Sequence, residues 1–423
     1  MSAPAPLGFK TAAARGPAAR LIGFALALAG CAPTRPPPPA VAAAGPPPAT
    51  RTARFRHPGI LTNQAQLDLL RDRIKAGQQP WKAAYDTAMA KYGALTWTAK
   101  PRAVVDCGPY SRPNNGCSDE RDDAVAAYTH ALAWSITGAR AHAEKAIAIM
   151  AAWAQVIEGH SNHNAPLQTG WAGSIWPLAG EILGHGREHE YDGWARADRD
   201  AFARMLAQVY LRPVQIGSPG TNGNWELVMI EAAAAIAVFL DDGPAFDRAL
   251  QMWRRRVPAY FYLSGDGRLP VPPPGGRKSR PDQLIEYWYG QRQFVDGLAQ
   301  ETCRDFGHTE YGIASALAVA EIAYQQGIDL YREQGERLRA AMEFHASYLL
   351  GKPVPGWLCN GTIDARTLPT WEIGYNHFHD RMGRELPWSR QLLESQIRAG
   401  RGVDHHIVWE TLTHAAAGGT GLP

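Results

Sequence analysis

The chain has 423 residues, with 43 basic and 40 acidic side chains, a formal net charge of +3 and 45% hydrophobic residues. This apolar fraction suffices for a large buried core, and the near-zero charge argues against nucleic acid as a partner, since nucleic-acid-binding domains carry a marked basic excess. Any attraction for an acidic ligand must come from basic residues gathered in one cleft, because the summed field of a nearly neutral protein steers ligands weakly.

Residues 1–30 are typical of a bacterial export signal. They contain three basic residues and no acidic residue, and their apolar run over 21–29 is too short to span a bilayer. The run ends in Leu-Ala-Gly-Cys at 28–31, which resembles the lipobox of bacterial lipoproteins. We therefore expect cleavage before Cys31 and lipidation of that cysteine, with an ordinary secreted protein as the alternative.

Residues 31–53 are expected to form a tether between the lipidated Cys31 and a folded domain. From 32 to 50 they are almost entirely Pro, Ala, Gly and Thr, a composition that cannot bury apolar surface and favours semi-extended chain. Removal of residues 1–30 takes away three positive charges and leaves a formal charge of zero. The expected location is outside the cytoplasm, at the periplasmic or cell-surface face of a membrane.

Residues 54–423 are predicted to form one large all-α domain. Successive segments begin at Ser, Thr, Asp or Pro, place apolar residues three and four positions apart, and end at glycine. The sparsity of period-two alternation and the alanine-rich helices favour an (α/α) toroid of helical hairpins over an irregular all-α domain. The clearest predicted helices cover 62–76, 119–137, 141–158, 225–240, 309–326 and 330–350.

Four cysteines follow Cys31, which is an even number, as expected in an oxidising compartment. They are Cys107, Cys117, Cys303 and Cys359. A disulfide between Cys107 and Cys117 would close a loop rich in Gly, Pro, Asn and Ser between two helices. Their spacing matches no zinc-binding pattern, so we predict no metal at these thiols.

The densest polar cluster, residues 300–312, leads directly into an apolar helix. If the helix begins near residue 307, His308 and Tyr311 lie one turn apart on one face, with Arg304 just before the first turn. A cation, an imidazole and a phenol would then converge, and Glu301 is added as a candidate substrate-binding residue. A structural role in ion pairing and packing is the alternative for each residue alone.

A second polar cluster, residues 220–226, also opens an apolar helix. Its Asn224 amide is a candidate for hydrogen bonding to a substrate carboxylate, beside Asn222, and the Trp225 indole is a candidate for stacking on a sugar ring. Side-chain amides at a helix start are more often caps. Weaker aromatic candidates for substrate binding are Trp171, Tyr289 and Tyr375, and His377 is a further candidate catalytic residue.

These residue types suit β-elimination from a 4-O-linked uronate. That reaction needs the C6 carboxylate neutralised, so that the C5 proton becomes acidic, and it needs a base and an acid within hydrogen-bonding distance. Asn, Arg and His side chains can neutralise a carboxylate, and Tyr or His can transfer the proton.

From residue 56 onward, the chain resembles the alginate lyase superfamily of polysaccharide lyases. Asn-Trp-Glu at 224–226 and Cys-Arg-Asp-Phe-Gly-His-Thr at 303–309 are similar to its glucuronan and alginate lyase branch. The resemblance implies an (α/α) barrel and an Asn, His, Arg and Tyr active site, with no obligatory metal and no cofactor. It further implies that Asn224 and Arg304 neutralise the carboxylate and that Tyr311 is the catalytic tyrosine.

The chain departs from that family at the histidine of the Asn-Asn-His signature. It has Asn-Gly-Asn at 222–224, with no histidine following. His308 or His377 would have to supply the imidazole, and Tyr289 and Tyr375 are rivals of Tyr311 as the phenol.

Several other functions are open at this stage. A glycoside hydrolase on the same toroid, acting on an acidic glycan, would need paired carboxylates. The motif His-Gly-Arg-Glu-His at 185–189 matches a metalloprotease pattern, and Cys303 with His308 suggests a cysteine nucleophile. A glycan-binding lipoprotein without activity is the last alternative. The candidate carboxylates for the hydrolase are Glu226, Asp282, Glu286, Glu301 and Asp305.

Among these functions, we favour a monomeric lyase of an acidic uronate polysaccharide.

Overall fold

The computed structural model describes residues 55–187, 191–276, 278–400 and 402–415, and helices make up most of this part of the chain. In chain order the α-helices are α1 (Gln64–Lys75), α2 (Trp81–Tyr92), α3 (Cys117–Thr137), α4 (Arg140–Ala154), α5 (Ala165–His185), α6 (Arg196–Met205), α7 (Arg212–Val214), α8 (Gly223–Phe239), α9 (Gly243–Tyr260), α10 (Pro281–Tyr287), α11 (Phe306–Gln325), α12 (Leu330–Leu349), α13 (Glu372–Tyr375), α14 (Pro387–Leu392) and α15 (Glu410–His414). Segments of π-helix cover Leu206–Leu211, Asn376–Arg381 and Leu393–Ile397.

The strands are short and lie in segments between the helices. They are β1 (Val104–Cys107), β2 (Asn114–Asn115), β3 (Gly159–Ser161), β4 (Val403–Asp404) and β5 (Ile407–Val408). β1 pairs antiparallel with β2 and parallel with β3, and β4 pairs antiparallel with β5. The β4–β5 hairpin places residues 405 and 406 at its turn.

Four long helices form the inner layer of the fold. α3, α5, α8 and α11 lie side by side in that order, and α4, α9 and α12 each pack on the outside of the inner helix that precedes them. The inner helices are buried along almost their whole length, and alanines where they touch allow close approach of their backbones. This alternation of inner and outer helices confirms the predicted (α/α) toroid.

Three of the inner helices begin at the same end of the toroid. The first turns of α5, α8 and α11 contribute residues to one shared cavity. Because the N-terminus of a helix carries a partial positive charge and unpaired N–H groups, this end of the toroid favours anions.

The predicted helices correspond to observed helices, with boundaries that shift by a few residues. The largest difference is in α4, which ends at Ala154, four residues before the predicted 158. The chain turns away there because the N–H of Glu158 donates to the carbonyl of Ala103 at 2.7 Å, and β3 follows. Glu188 and His189 of the H-x-x-E-H motif lie outside the described residues, and His185 is the last residue of α5.

Two disulfides fasten loops at the cavity end of the toroid. The predicted pair Cys107–Cys117 is confirmed, and Cys303 pairs with Cys359. The second bond rules out Cys303 as a nucleophile, because a disulfide sulfur carries no thiolate. Among the helices of the described chain, none is long and apolar enough to cross a membrane. The predicted signal, Cys31 and the tether lie outside the described residues.

Tyr260, the last residue of α9, packs tightly between the first turn of α8 and the second turn of α11. A Cβ atom at Gly223 would lie 2.1 Å from the Tyr260 ring, and one at Gly312 would lie 2.3 Å from it. These two glycines therefore let both helices approach the ring, which fixes the spacing between the polar clusters that open α8 and α11.

Gly312→Ala is expected to lower the free energy of unfolding by about 1–3 kcal/mol, the usual effect of overpacking a core. Gly184→Ala is the matched control, since it also lies inside a helix but its added Cβ meets no atom within 4 Å beyond its chain neighbours and the backbone of its own helix. The control should raise stability by up to about 1 kcal/mol through helix propensity. Urea denaturation measures both, and equal changes in the two variants would contradict the close approach at Tyr260.

Candidate active site

A cavity of about 350 Å³ opens at the N-terminal ends of α5, α8 and α11. It brings together four of the five predicted catalytic residues, namely Asn224, Arg304, His308 and Tyr311. Trp171 and Trp225, two of the predicted substrate-binding residues, also line it. The remaining lining residues are Pro109, Tyr110, Ser111, His163, Asn164, Leu167, Arg366 and His405.

Glu301 holds Asn224 and Arg304 from behind the cavity. It is fully buried, and its Oε2 accepts hydrogen bonds from the backbone N–H of Asn224 at 3.2 Å and from the Asn224 amide at 2.5 Å. The hydroxyl of Tyr260 also donates to Oε2, at 3.0 Å, while Arg304 Nη1 donates to Oε1 at 2.8 Å. Glu301 therefore does not line this cavity; it lies behind Asn224 and Arg304 and orients the two groups that face the cavity.

Asp305 orders the start of α11 and the ring of His308. Its side chain caps the helix by accepting from the His308 N–H at 2.8 Å, and its other oxygen lies 2.6 Å from His308 Nδ1. Burial raises the pKa of Asp305, but these hydrogen bonds outweigh it and hold the pKa below its usual value. The ionised carboxylate therefore fixes His308 through Nδ1, and its Nε2 is the nitrogen left for a ligand in the cavity.

The phenol of Tyr311 meets an aspartate and a histidine from the β4–β5 hairpin. Its hydroxyl lies 2.5 Å from Asp404 Oδ1 and 2.7 Å from His405 Nδ1, and only 7% of the residue is exposed. Arg366 donates to the second oxygen of Asp404 at 2.6 Å. Burial lowers the pKa of His405 below its usual value, which favours the neutral ring at pH 7. The Tyr311 hydroxyl thus has a proton-accepting carboxylate, that of Asp404, directly beside it.

Beneath Tyr311 and His405, the side chain of His406 anchors the β4–β5 hairpin to the inner helices. Its Nε2 lies 2.9 Å from the Ser315 hydroxyl and 3.6 Å from Glu231 Oε2. The ring also packs on Tyr311, with ring centroids 5.6 Å apart. The hairpin is therefore held from below as well as from the side of Tyr311.

Aromatic rings form the walls of the cavity. Trp171 lies against the His405 ring at a centroid distance of 4.4 Å, and Trp225 meets His163 edge to face at 5.5 Å. Tyr110 stands at the rim with 82% of its surface exposed, on the loop that the Cys107–Cys117 disulfide closes. Such rings can stack on sugar faces.

A second cavity, of about 340 Å³, contains two further predicted substrate-binding residues. The Asn222 amide donates to the hydroxyl of Tyr289 at 2.8 Å, and Lys278, Gln283 and Glu286 are among the other lining residues. Gln300 holds Asn222 against the start of α8, because it donates to the Asn222 side chain at 3.2 Å and accepts from the N–H of Gly223 at 3.0 Å. Tyr289 is therefore a wall of this neighbouring space and does not line the cavity that holds Tyr311.

His377 and Tyr375 lie away from both cavities. His377 is buried and stacks on Tyr331 at a centroid distance of 3.5 Å, and burial lowers its pKa to about 4. Tyr375 is buried and stacks on His379 at 4.6 Å. Neither residue lines either cavity, because the helical segment that carries them belongs to the core.

Several cavity residues were not predicted from the sequence. His405, Asp404 and Arg366 come from the last fifth of the chain, far in sequence from the polar helix starts. The available signal was Asp-His-His at 404–406, flanked by the short apolar pairs that form β4 and β5. His163 and Asn164, just before α5, were also missed.

The carboxylates proposed for a hydrolase do not form a facing pair in the cavity. Glu226 is buried against Arg256, at 2.5 Å, Glu301 is buried behind Arg304, and Asp305 caps α11. Glu286 lines the neighbouring cavity, and Asp282 is exposed beside Arg280. None of these five lines the cavity that holds Tyr311.

Residues 81–271 match the family model described as alginate lyase. The chain resembles the alginate lyases. The matched segment runs from the start of α2 to beyond α9 and includes Asn224, whereas Arg304 and Tyr311 lie after it. No curated protein matches the chain.

Solved structures of alginate lyases have the same fold. Alginate lyase A1-III from Sphingomonas species A1 has a TM-score of 0.54 at 16% identity, covering 85% of this chain and 97% of that one. An alginate lyase from Bacteroides ovatus has a TM-score of 0.54 at 13% identity, covering 84% and 99%. A histidine-to-alanine variant of A1-III complexed with a tetrasaccharide has a TM-score of 0.51 at 16% identity, covering 77% and 89%. The solved structures show that this chain shares the fold of these alginate lyases.

Glu231, beneath the cavity, supports a prediction about pH. Burial and then the charge of Glu410 raise the pKa of its carboxyl to about 8. Because the folded pKa lies above the unfolded value, the stability that the protonated carboxyl contributes is complete below about pH 4.5 and is lost as the pH rises through about 8. Glu231→Gln cannot ionise, so its stability relative to the native chain should increase by about 1.4 kcal/mol per pH unit over this range and then level off.

Urea denaturation at several pH values between about 5 and 9 measures this difference. Glu336→Gln, at an exposed position, is the control and should show no such slope. A flat profile for Glu231→Gln would mean that the buried carboxyl ionises at its usual pH.

Proposed function

We propose that this chain is a polysaccharide lyase that cleaves a 4-O-linked uronate polysaccharide, glucuronan or alginate, by β-elimination and leaves unsaturated uronate ends. The observation that carries the proposal is the convergence of Asn224, Arg304 and the Tyr311–His405 pair on one cavity at the positive ends of three helices. The match to the alginate lyase family model over residues 81–271 supports it.

Asn224 and Arg304 would neutralise the C6 carboxylate of the sugar at the cleavage point. Glu301 uses one amide hydrogen of Asn224 and one side of the Arg304 guanidinium, and both side chains keep further N–H donors for a ligand. Charge neutralisation makes the C5 proton acidic, because the electron pair of the broken C–H bond is delocalised into the carboxylate. The N-termini of α8 and α11 add to this stabilisation.

Tyr311 would transfer the proton. As a phenolate, after losing its own proton to Asp404, it takes the C5 proton. The C4–O4 bond then breaks as the C4–C5 double bond forms, and Tyr311 returns the proton to O4 of the leaving sugar. An N–H of His405 pointing at the phenol oxygen would stabilise the phenolate between these steps.

One tyrosine can do both steps when the C5 proton and O4 lie on the same face of the sugar. Opposite faces require a second residue, and His308 is available in the same cavity with its Nδ1 held by Asp305. The imidazole that the family's signature would place beside Asn224 is replaced, in this proposal, by His405 and His308.

Asn224→Ala, Arg304→Ala and Tyr311→Phe are each expected to lower kcat/KM by about 10³-fold or more, because each removes a group that acts on the transition state. The measurement is the ultraviolet absorbance of unsaturated uronate ends. Tyr375→Phe, a buried phenol outside the cavity, is the matched control and should stay within about twofold of the native rate. Native rates in Asn224→Ala or Arg304→Ala, with unchanged helical circular dichroism, would refute the site.

The same assay tests the reaction when the purified full-length protein meets glucuronan, polymannuronate and polyguluronate in turn. A rise in absorbance on one polymer establishes elimination and identifies the substrate. New reducing ends without absorbance would mean hydrolysis, and binding without either signal would mean a glycan-binding protein. Both of these outcomes overturn the lyase.

We also propose that the protein is exported and anchored to a membrane through a lipid on Cys31. The basic start, the apolar run over 21–29 and the lipobox-like Leu-Ala-Gly-Cys support this. Cys31→Ser should move the protein from the membrane fraction to the soluble extracytoplasmic fraction, as followed by immunoblotting. The control is Cys303→Ser, which should leave the distribution unchanged. An unaltered membrane fraction in Cys31→Ser would refute the anchor.

A further inference from the structure

At the far end of α5 from the candidate active site, two histidines and a glutamate converge. His57, Glu181 and His185 each offer one ligand atom, and these atoms all lie within 4.8 Å of one another. From Trp171, which lines the active-site cavity, to His185 the helix advances about 21 Å along its axis. The cluster is therefore separate from the site described above.

Helix geometry presets two of the three groups. Glu181 and His185 are four residues apart in the last turn of α5, so they lie on the same face. The third group, His57, comes from the segment that precedes α1, and its ring stacks on His185 at a centroid distance of 4.6 Å. His57 Nδ1 lies 2.9 Å from Glu181 Oε1.

Only one oxygen of the buried Glu181 carboxylate has hydrogen-bond partners among the described residues. Oε1 accepts from the N–H of Gly59 at 2.9 Å in addition to its contact with His57. Oε2 is buried and has no hydrogen-bond partner among the described residues. A buried carboxylate oxygen without a donor is costly, and a cation would satisfy it.

The surroundings also favour a cation. The C-termini of α5 and α8 end here, and the C-terminus of a helix carries a partial negative charge. Asp241, just after α8, lies with its Oδ1 3.3 Å from His57 Nε2. An outer carboxylate that accepts from the second ring nitrogen is the usual partner of a metal-binding histidine, because it fixes the tautomer that leaves the other nitrogen free.

We propose that His57, Glu181 and His185 bind a Zn²⁺ ion, with Asp241 as the outer-layer acceptor and water in the fourth position. Two imidazoles and one carboxylate form a ligand set that zinc prefers, and tetrahedral zinc ligands lie about 3.3 Å apart. The ligand atoms therefore need to close by at most about 1.5 Å. The ion would fasten the segment before α1 to the ends of two inner helices, and its role would be structural.

The test uses the full-length protein without a histidine tag, stripped with chelator and dialysed. Calorimetric titration with zinc chloride should give one site per chain. Saturating zinc should raise the melting temperature by about 3–6 °C, since a ligand that binds only the folded state stabilises it. His185→Ala removes an exposed ligand without disturbing the core and should weaken zinc binding at least 100-fold. Glu181→Gln, which keeps an acceptor for Gly59, should do the same.

His379→Ala is the matched control, because His379 is also a partly exposed histidine paired with a carboxylate, Asp380. It should bind zinc as the native chain does. Two results would overturn the proposal. If the protein binds no zinc and its melting temperature does not change with zinc or chelator, the three residues form an ion-paired cluster only. If His185→Ala binds zinc as tightly as the native chain, the ion lies elsewhere.

Discussion

The carboxylate of Glu301 is the interaction on which the candidate site depends. It is fully buried and accepts from the backbone and amide of Asn224, from Tyr260 and from Arg304, so it ties together the start of α8, the end of α9 and the segment leading into α11. Burying a carboxylate is costly, and hydrogen bonds and an ion pair of good geometry offset that cost. The same bonds that satisfy it aim an amide and a guanidinium into the cavity, so the requirements of folding and of the site coincide.

The toroid supplies the second constraint. Because α5, α8 and α11 run in the same direction on the inside, their first turns must meet at one end. The first residues of helices are often polar, because polar side chains cap the unpaired backbone N–H groups. The toroid places the N-terminal residues of these three helices around one cavity. The outer helices carry the amphipathic pattern expected of a surface layer, while the inner helices are buried all round.

Much of this organisation follows from local patterns in the sequence. Helices with periodic apolar positions and glycine stops are local features, as are the polar starts that carry Asn224, Arg304, His308 and Tyr311. The contacts of Asp404 and His405 with Tyr311 were not predicted. These residues lie on a hairpin more than ninety residues later in the chain, and no local sequence pattern predicts such a contact. His377 was a candidate because aromatic and polar residues surround it in the sequence. In the structure that segment belongs to the core, and Tyr331 covers the His377 ring.

The convergence of three helix N-termini has a consequence for how the proposed lyase would complete a cycle. The attraction is fixed in the backbone and draws carboxylates whether they belong to uncut polymer or to fragments. Cleavage by elimination leaves every carboxylate in place, so the field does not distinguish product from substrate. Release of the product must then depend on fragment length, because a shorter fragment contacts fewer of the aromatic rings. The sizes of the released fragments would therefore reflect how weakly each length binds in the cavity.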